Sequence, residues 1–170
     1  IVFDGELLIH DSDGNPIDRQ TGNGILSKSI KDTMSEGEAQ AVHATLWDAI
    51  PLSHFMQGEY DTPYSIRFSD LKNFIEVMSR RDEFAGYVSV VESQLAIDYD
   101  SAEKIFEEYL ERGEEGIILK SRDNKWQDKR AKDQIKFKGE LECDLKVVGV
   151  EEGTGKYEGM LGAVLCETSD

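Results

Sequence analysis

Cysteine and long apolar runs are both scarce in this 170-residue sequence. The two cysteines, Cys143 and Cys166, are too few for a disulfide framework and lack nearby partners for zinc, so we expect two reduced thiols in the core. No apolar run approaches the roughly 20 residues that span a bilayer, which argues against membrane insertion. The chain also does not open with a charged segment followed by a short apolar stretch, as a secretory signal would.

Basic charge is scarce as well, because the formal net charge is −16. Such a charge is unfavourable for binding nucleic acid, since phosphate contacts require Lys and Arg. The basic residues are nevertheless clustered. Between residues 120 and 138, three acidic side chains stand against eight basic ones, namely Lys120, Arg122, Lys125, Lys129, Arg130, Lys132, Lys136 and Lys138. The cluster indicates either a phosphate-binding stripe or a solvated loop with mixed charges.

Histidine is too sparse to indicate a catalytic or metal centre. His10, His43 and His54 are far apart in the sequence, so only the fold could bring them together. We expect each of them to be hydrogen-bonded inside the protein or exposed on its surface.

Charged side chains interrupt three short apolar runs, at residues 3–7, 115–120 and 135–138. Side chains of an extended strand alternate between its two faces, so Asp4 and Glu6 share one face, roughly 6.5 Å apart. Lys136 and Lys138 share a face in the same way, and Glu115 opens the third run. Taken singly, each run also fits a solvated strand, and lysines often protect sheet edges. Converging on one sheet face, these acids and lysines would suit a magnesium ion and a phosphate chain.

The order and spacing of the three runs resemble motifs III, IV and V of the covalent nucleotidyltransferases. This superfamily contains ATP-dependent DNA ligases, RNA ligases and mRNA capping enzymes. Residues 46–51 resemble motif IIIa, in which an aromatic ring stacks on the purine, and Trp47 matches that ring. The stretches 18–24 and 106–111 look specifically like phage-type ATP-dependent DNA ligases. Any one of these motifs alone would be weak evidence.

The resemblance implies an α+β fold. We expect residues 1–141 to form the later part of a nucleotidyltransferase (adenylation) domain, with ATP-grasp-like antiparallel sheets and flanking helices. Residues 142–170 would begin an OB-fold β-barrel, because two strands at 145–150 and 161–166 flank a glycine-rich run.

The resemblance also implies an activity, that of an ATP-dependent DNA ligase in repair, replication and recombination. The family's nucleophilic lysine, in a K-x-D-G motif, becomes lysyl-AMP, and AMP then passes to the 5′-phosphate of a nick. No residue here matches that lysine, so we expect a middle piece of a longer protein that is inactive alone. The implied partners are ATP, Mg²⁺ and nicked duplex DNA. The full enzyme would be monomeric and cytoplasmic, with no membrane partner.

Matched positions carry the family's roles onto this sequence. Glu115 would be catalytic and hold Mg²⁺, and Glu6 would contact the ribose or the metal. Trp47 would stack on adenine, while Lys136 and Lys138 would bind the α-phosphate and stabilise its charge. Asp4 is a weaker candidate, which would support the residues of the site without contacting the ligand itself.

Three alternatives stay open at this point. An RNA ligase or a GTP-dependent capping enzyme would share motifs III to V, and a non-catalytic nucleic-acid-binding module could retain them without the lysine. Arg67 fits either a helix-anchoring ion pair or a contact with the nucleotide.

Local patterns predict several elements around these motifs. Strands are expected at 1–10, 42–50 and 87–92. Ser35 with Glu38 and Asp100 with Glu103 are possible capping boxes, the second opening a helix that stops near Gly113. Ser69 would cap another helix, whose core-facing stripe is Leu71, Phe74, Ile75 and Met78.

Overall fold

The computed structural model describes residues 1–81, 84–139 and 144–168, which group into two units, 1–137 and 138–170. The boundary predicted between 141 and 142 lies outside the described residues. The described α-helices are α1 (Arg19–Ile30), α2 (Glu36–Gln40), α3 (Leu52–Gln57), α4 (Tyr64–Met78) and α5 (Tyr99–Glu111). The strands are β1 (Val2–Ile9), β2 (Val42–Ile50), β3 (Glu59–Tyr60), β4 (Val88–Val90), β5 (Gly116–Lys120), β6 (Trp126–Gln127), β7 (Gln134–Lys138), β8 (Lys146–Glu152) and β9 (Leu161–Glu167).

The first unit is built on a three-stranded sheet in the order β1-β2-β4. Strand β1 is antiparallel to β2, and β4 joins β2 in parallel. Two smaller sheets accompany it, one formed by β3 with β6 and one by β5 with β7. The predicted α+β class is confirmed. None of the described helices combines the length and apolar content needed to cross a membrane.

A β-bulge interrupts the pairing of β1 with β2. Asp4 lies opposite Asp48 and Gly5 opposite Leu46, so Trp47 is the extra residue of β2 and has no partner on β1. The two chains approach closely at this point. A Cβ added to Gly5 would lie 2.6 Å from the carbonyl oxygen of Thr45. Only glycine therefore fits between Asp4 and Glu6 without a shift of the backbone.

Helix α4 packs on β2 and β4 and supplies much of the core. Leu71 is only 2% exposed, as its place in the apolar stripe predicts. Phe74, from the same stripe, stays 39% exposed and lines an apolar cavity of about 470 Å³. The predicted start at Ser69 is wrong, because the helix begins at Tyr64 directly after Pro63. A proline just before a helix has the backbone angles of a cap but offers no side-chain bond, so the capping pattern missed it.

The starts of the other helices agree only in part with the capping patterns of the sequence. The predicted box of Ser35 and Glu38 is confirmed at α2. At α5 the cap is Asp98 rather than Asp100, since the Asp98 carboxylate accepts the backbone N–H of Ser101 at 2.8 Å. Helix α1 was not predicted, because its sequence contains two glycines and lacks a wide apolar stripe. The strand expected at 87–92 is confirmed only over β4.

His43 is hydrogen-bonded inside the protein, as predicted, and it meets a second histidine. Buried His43 makes hydrogen bonds through both ring nitrogens, to the Gly86 carbonyl oxygen at 2.9 Å and the Ser89 hydroxyl at 2.8 Å. The ring of His10 stacks on it at 4.2 Å. Cys166 is an exposed free thiol, so its expected core position is wrong, and Cys143 lies outside the described residues.

The second unit contains a hairpin of β8 and β9, which pair antiparallel as the sequence predicts. The connection between them passes through a single 3₁₀ turn, Gly155–Tyr157. Most side chains of both strands are exposed. A two-stranded hairpin does not identify a barrel by itself, so the OB-fold start stays a prediction.

Glu38 gives a prediction for stability at acid pH. Hydrogen bonds from Lys28 and then from Ser35 lower the pKa of Glu38 from 4.5 to about 2. Because the folded state binds this proton more weakly, the stabilisation is present above pH 4.5 and is lost as the pH falls towards 2. We expect Glu38→Gln to reduce the fall in the urea midpoint between pH 5 and pH 2.5. Glu36→Gln, in the same helix, is the control. Equal acid sensitivity of the Glu38→Gln variant and the parent would contradict the prediction.

Candidate functional site

Trp47 is the centre of a small aromatic and cationic cluster. The ammonium group of Lys120, at the end of β5, lies 5.8 Å from the Trp47 ring centroid and 4.7 Å from that of Tyr64. The Tyr64 hydroxyl donates a hydrogen bond to the Trp47 carbonyl oxygen at 3.1 Å. An ammonium group within about 6 Å of the centroid of an aromatic ring is attracted electrostatically to the ring face. The cluster therefore joins the bulge of β2 to α4 and β5.

A buried ion pair lies directly beside this cluster. The Arg67 guanidinium donates to both carboxylate oxygens of Asp48, from Nε at 2.9 Å and from Nη2 at 2.7 Å. Its Nη1 donates to the backbone carbonyl oxygens of Thr62 and Asn124. The side chains of Arg67 and Asp48 are 1% and 5% exposed. Of the two alternatives for Arg67, the structure shows the ion pair.

The electrostatic balance around Lys120 is mixed. Burial lowers the pKa of the Lys120 ammonium, and the charges of Asp48 and Asp4 act against this change. Burial also raises the pKa of the Tyr64 hydroxyl to about 12, helped by Asp48. A partly desolvated cation thus lies between two aromatic rings, with carboxylates on both β1 and β2 near enough to act on it.

The carboxylates and lysines of the three motifs do not share one sheet, so that part of the sequence prediction is wrong. Asp4 and Glu6 lie in the three-stranded sheet, whereas Lys136 lies in the separate β5–β7 pair and Glu115 immediately precedes it. Alternating hydrophobicity is a property of each strand, and it does not determine which strands pair. Glu6 is exposed on β1, opposite Thr45.

Glu115 is held by a residue of α1. Its Oε1 accepts a hydrogen bond from Nη1 of Arg19, the first residue of α1, at 2.8 Å. Both side chains are more than half exposed. Glu115 precedes β5 and Lys120 ends it, so their backbones are separated by about 16 Å along the strand. The predicted metal ligand and the aromatic cluster lie at opposite ends of one strand.

Strand β7 carries the two lysines of the predicted phosphate site. The ring of Phe137, between them, lies 5.9 Å from the ring of Phe106 on α5 and is half-buried. Because strand side chains alternate, Lys136 points away from that contact, and it is exposed. Lys138 is the last residue of β7 and is also exposed.

The donor set limits which metal these residues could hold. No group of three His, Cys, Asp or Glu side chains within residues 1–81, 84–139 and 144–168 forms a metal-binding cluster. Mg²⁺ commonly takes only one or two carboxylates and completes its shell with water and substrate phosphates. The oxygen donors of Glu6 and Glu115 fit that requirement, and they do not fit a structural zinc site.

Sequence reasoning gave no site role to Tyr64 or Arg19, and it counted Lys120 only among the basic residues of the stretch 120–138. Lys120 ends an apolar run, which is the pattern of an ordinary exposed strand end. Tyr64 lies before the helix start predicted at Ser69, and Arg19 contacts Glu115 across 96 positions. A lysine closing a half-buried strand was the one available signal.

Comparisons with known proteins place the chain in a family. The sequence model described as the ATP dependent DNA ligase domain matches residues 1–138. DNA ligase of Enterobacteria phage T4 is 38% identical over 133 residues, covering 78% of this chain and 26% of that protein. DNA ligase of Enterobacteria phage T6 is 33% identical over 175 residues, covering 88% of this chain and 34% of that protein.

A solved structure from work on Lig E DNA ligases shares the fold. It superposes with a TM-score of 0.68 at 23% identity, over 98% of this chain and 57% of that chain. This chain spans about a quarter to a third of the length of the two phage relatives. Its family match runs from the first strand through β7, which includes every motif described above. The chain therefore belongs to the ATP dependent DNA ligase domain family.

Proposed function

We propose that this chain is part of an ATP-dependent DNA ligase that seals nicks in duplex DNA. The family match over residues 1–138 is the observation that carries the proposal. The nucleophilic lysine of the family lies in a motif that no residue of this chain matches, so the chain supplies the nucleotide-binding surroundings of that lysine. The activity of the whole protein includes lysyl-AMP and DNA-adenylate intermediates.

Trp47 is the residue that we assign to the adenine. Its indole is half-buried at the bulge of β2, where no side chain of β1 lies opposite it. A bulge turns a side chain out of the regular pleat, which suits a ring that must meet a ligand. Stacking of a base on an aromatic side chain contributes about 1–3 kcal/mol.

Phosphate and metal are assigned to the other motifs. Lys136 and Lys138 bind the α-phosphate and stabilise the charge that develops on it as pyrophosphate leaves. Glu115 and Glu6 would hold Mg²⁺, which supplies charge neutralisation to the phosphates when it is bound. Arg19 must release the Glu115 carboxylate, or share it, when a cation takes that position.

Duplex DNA is the proposed partner because of the basic stretch that precedes the end of β7. Within the first unit, six of its basic side chains are exposed, namely Arg122, Lys125, Lys129, Arg130, Lys132 and Lys136. Lys125 makes an exposed ion pair with Asp61 at 2.9 Å, which phosphate can displace at little cost. Phosphate contacts of this kind make binding strongly salt-dependent.

The test is covalent labelling of the natural gene product. It is incubated with Mg²⁺ and with ATP or GTP labelled at the α-phosphate, and adducts are resolved on a denaturing gel. An ATP-specific adduct that nicked duplex DNA discharges supports the ligase. Labelling by GTP would instead indicate a capping enzyme, discharge by nicked RNA alone an RNA ligase, and absence of any adduct a binding module.

Glu115→Ala should abolish this labelling in the natural gene product. Removing the carboxylate takes away the proposed metal ligand, so the adduct is expected to fall by at least about a hundredfold, comparable to the loss of one charge-stabilising group. Glu114→Ala removes the neighbouring exposed carboxylate and is the matched control. Near-normal labelling by the Glu115→Ala protein would remove Glu115 from the metal site.

A further inference from the structure

Lys120 ends the run 115–120 that resembles motif IV, and none of the roles carried over from the family belongs to it. It ends β5, and its ammonium group lies within cation–π range of both Trp47 and Tyr64. The Tyr64 ring is itself anchored, since its hydroxyl donates to the Trp47 carbonyl oxygen and Arg67 lies 5.6 Å from its centroid. One ammonium group therefore connects the ring of Trp47 to a fixed neighbour.

The bulge makes that connection necessary. In a regular antiparallel pair, the side chain opposite would restrict the orientation of a strand residue. Trp47 lacks such a neighbour on β1, because the register passes from Leu46 to Asp48. On the β1 side, contacts from other elements must therefore restrict its ring. Lys120 provides one from β5.

We propose that Lys120 is a positioning residue for nucleotide binding, whose ammonium group holds the Trp47 ring in the orientation that stacks on the purine. This inference rests on the proposed function, because it assumes that a nucleotide binds beside Trp47. It differs from a direct phosphate contact by Lys120. A phosphate contact acts on the triphosphate, whereas positioning acts through the indole and affects only ligands that carry a base.

The first measurement compares two ligands in the natural gene product without Mg²⁺. Lys120→Met should weaken ATP binding about 3- to 10-fold, the range expected for a partly desolvated cation–π contact. Binding of inorganic tripolyphosphate should change by less than about twofold. Lys120→Arg keeps a cation over the ring and should restore ATP binding. Equal weakening of both ligands would overturn the inference in favour of a phosphate contact.

A double-mutant cycle ties the effect to the indole. In a Trp47→Leu background, Lys120→Met should cause no further loss of ATP affinity, because the ring that it positions is gone. A loss of the same size in both backgrounds would contradict the inference. If Lys120→Met fails to fold, Lys120→Gln takes its place in the cycle.

The second measurement needs no nucleotide. In the natural gene product, with Trp126 and any tryptophan outside this sequence replaced by Phe, the emission of Trp47 is followed as the pH rises. The charged and titratable groups that act on Lys120 are Asp4 on β1, Asp48 on β2, and Tyr64 and Arg67 on α4. Burial raises the pKa of Tyr64 to about 12, whereas it lowers the pKa of Lys120 from its ordinary value, so the two groups titrate in different pH ranges.

Emission should change with a midpoint below the ordinary lysine value of about 10.5. The midpoint should disappear in Lys120→Met, and a midpoint that persists there would show that Lys120 does not act on the ring. The two failures can be told apart. A parent protein that binds no ATP overturns the proposed function, while the emission still decides whether Lys120 orients Trp47. If the parent protein and the Lys120→Met variant bind ATP equally tightly, the inference is overturned and the proposed function is not.

Discussion

Arg67→Met should destabilise the first unit by about 3–5 kcal/mol, the cost of leaving one partner of a buried ion pair uncompensated. The substitution keeps an unbranched side chain but removes the fork that meets both oxygens of Asp48. It also removes the donor to the carbonyl oxygens of Thr62 and Asn124. The expected result is a large fall in the urea midpoint at unchanged m-value.

Two controls separate the charge from the packing. Arg80→Met, just past the end of α4, breaks an exposed pair with Glu76, and we expect a change of only about 0.3–0.5 kcal/mol. Adding Asp48→Leu to Arg67→Met removes the buried carboxylate that has lost its partner. The double variant should therefore recover much of the lost free energy of unfolding. A cost for Arg67→Met as small as that for Arg80→Met would show that the buried pair is not formed.

Gly5→Ala is expected to have the second largest effect, destabilising the unit by about 1–3 kcal/mol. The new methyl group would meet the carbonyl oxygen of Thr45 at 2.6 Å and the Cδ2 atom of Leu46 at 2.7 Å. The first of these atoms belongs to the backbone, so β1 and β2 must separate to accommodate it. Because Trp47 follows Leu46 at the bulge, we also expect weaker ATP binding.

Gly24→Ala is the matched control for this prediction. Gly24 lies in α1, and no atom beyond its own helix turn lies within 4 Å of the position of an added Cβ. There the same change should stabilise the protein by about 0.5–1 kcal/mol, because alanine favours helix. Opposite signs for the two variants, measured by urea unfolding, would confirm the close approach at Gly5. Two small effects of the same sign would contradict it.

Local chemistry in the sequence predicted a good part of the fold. Strands β1 and β2 follow from alternating apolar residues, and the cap of α2 follows from Ser35 and Glu38. The hairpin of β8 and β9 follows from two apolar runs around a glycine-rich connection. Each of these signals depends on residues close together in the chain, where side-chain spacing alone determines the geometry.

The candidate site was less predictable, because its members meet over long sequence distances. The motifs named Trp47, Glu6 and Glu115, and their roles stay predictions. The acids of the motifs belong to different strand pairings, Glu6 to the three-stranded sheet and Glu115 to the start of β5, which no single strand pattern can reveal. The bulge at Trp47 depends on the pairing register of β1 and β2. The contact between Lys120 and the Trp47 ring depends on where a third strand, β5, lies.

The guanidinium of Arg67 has a consequence for how the protein folds. It contacts Asp48 and the carbonyl oxygen of Asn124, which are 19 and 57 positions away in the chain. Closing such long loops costs entropy before any contact compensates for it, so we expect these bonds to form late in folding. Early folding intermediates should therefore contain α4 while the surroundings of Trp47 are still unformed. The surface around Trp47 that we propose for the nucleotide would then form only in this late step of folding.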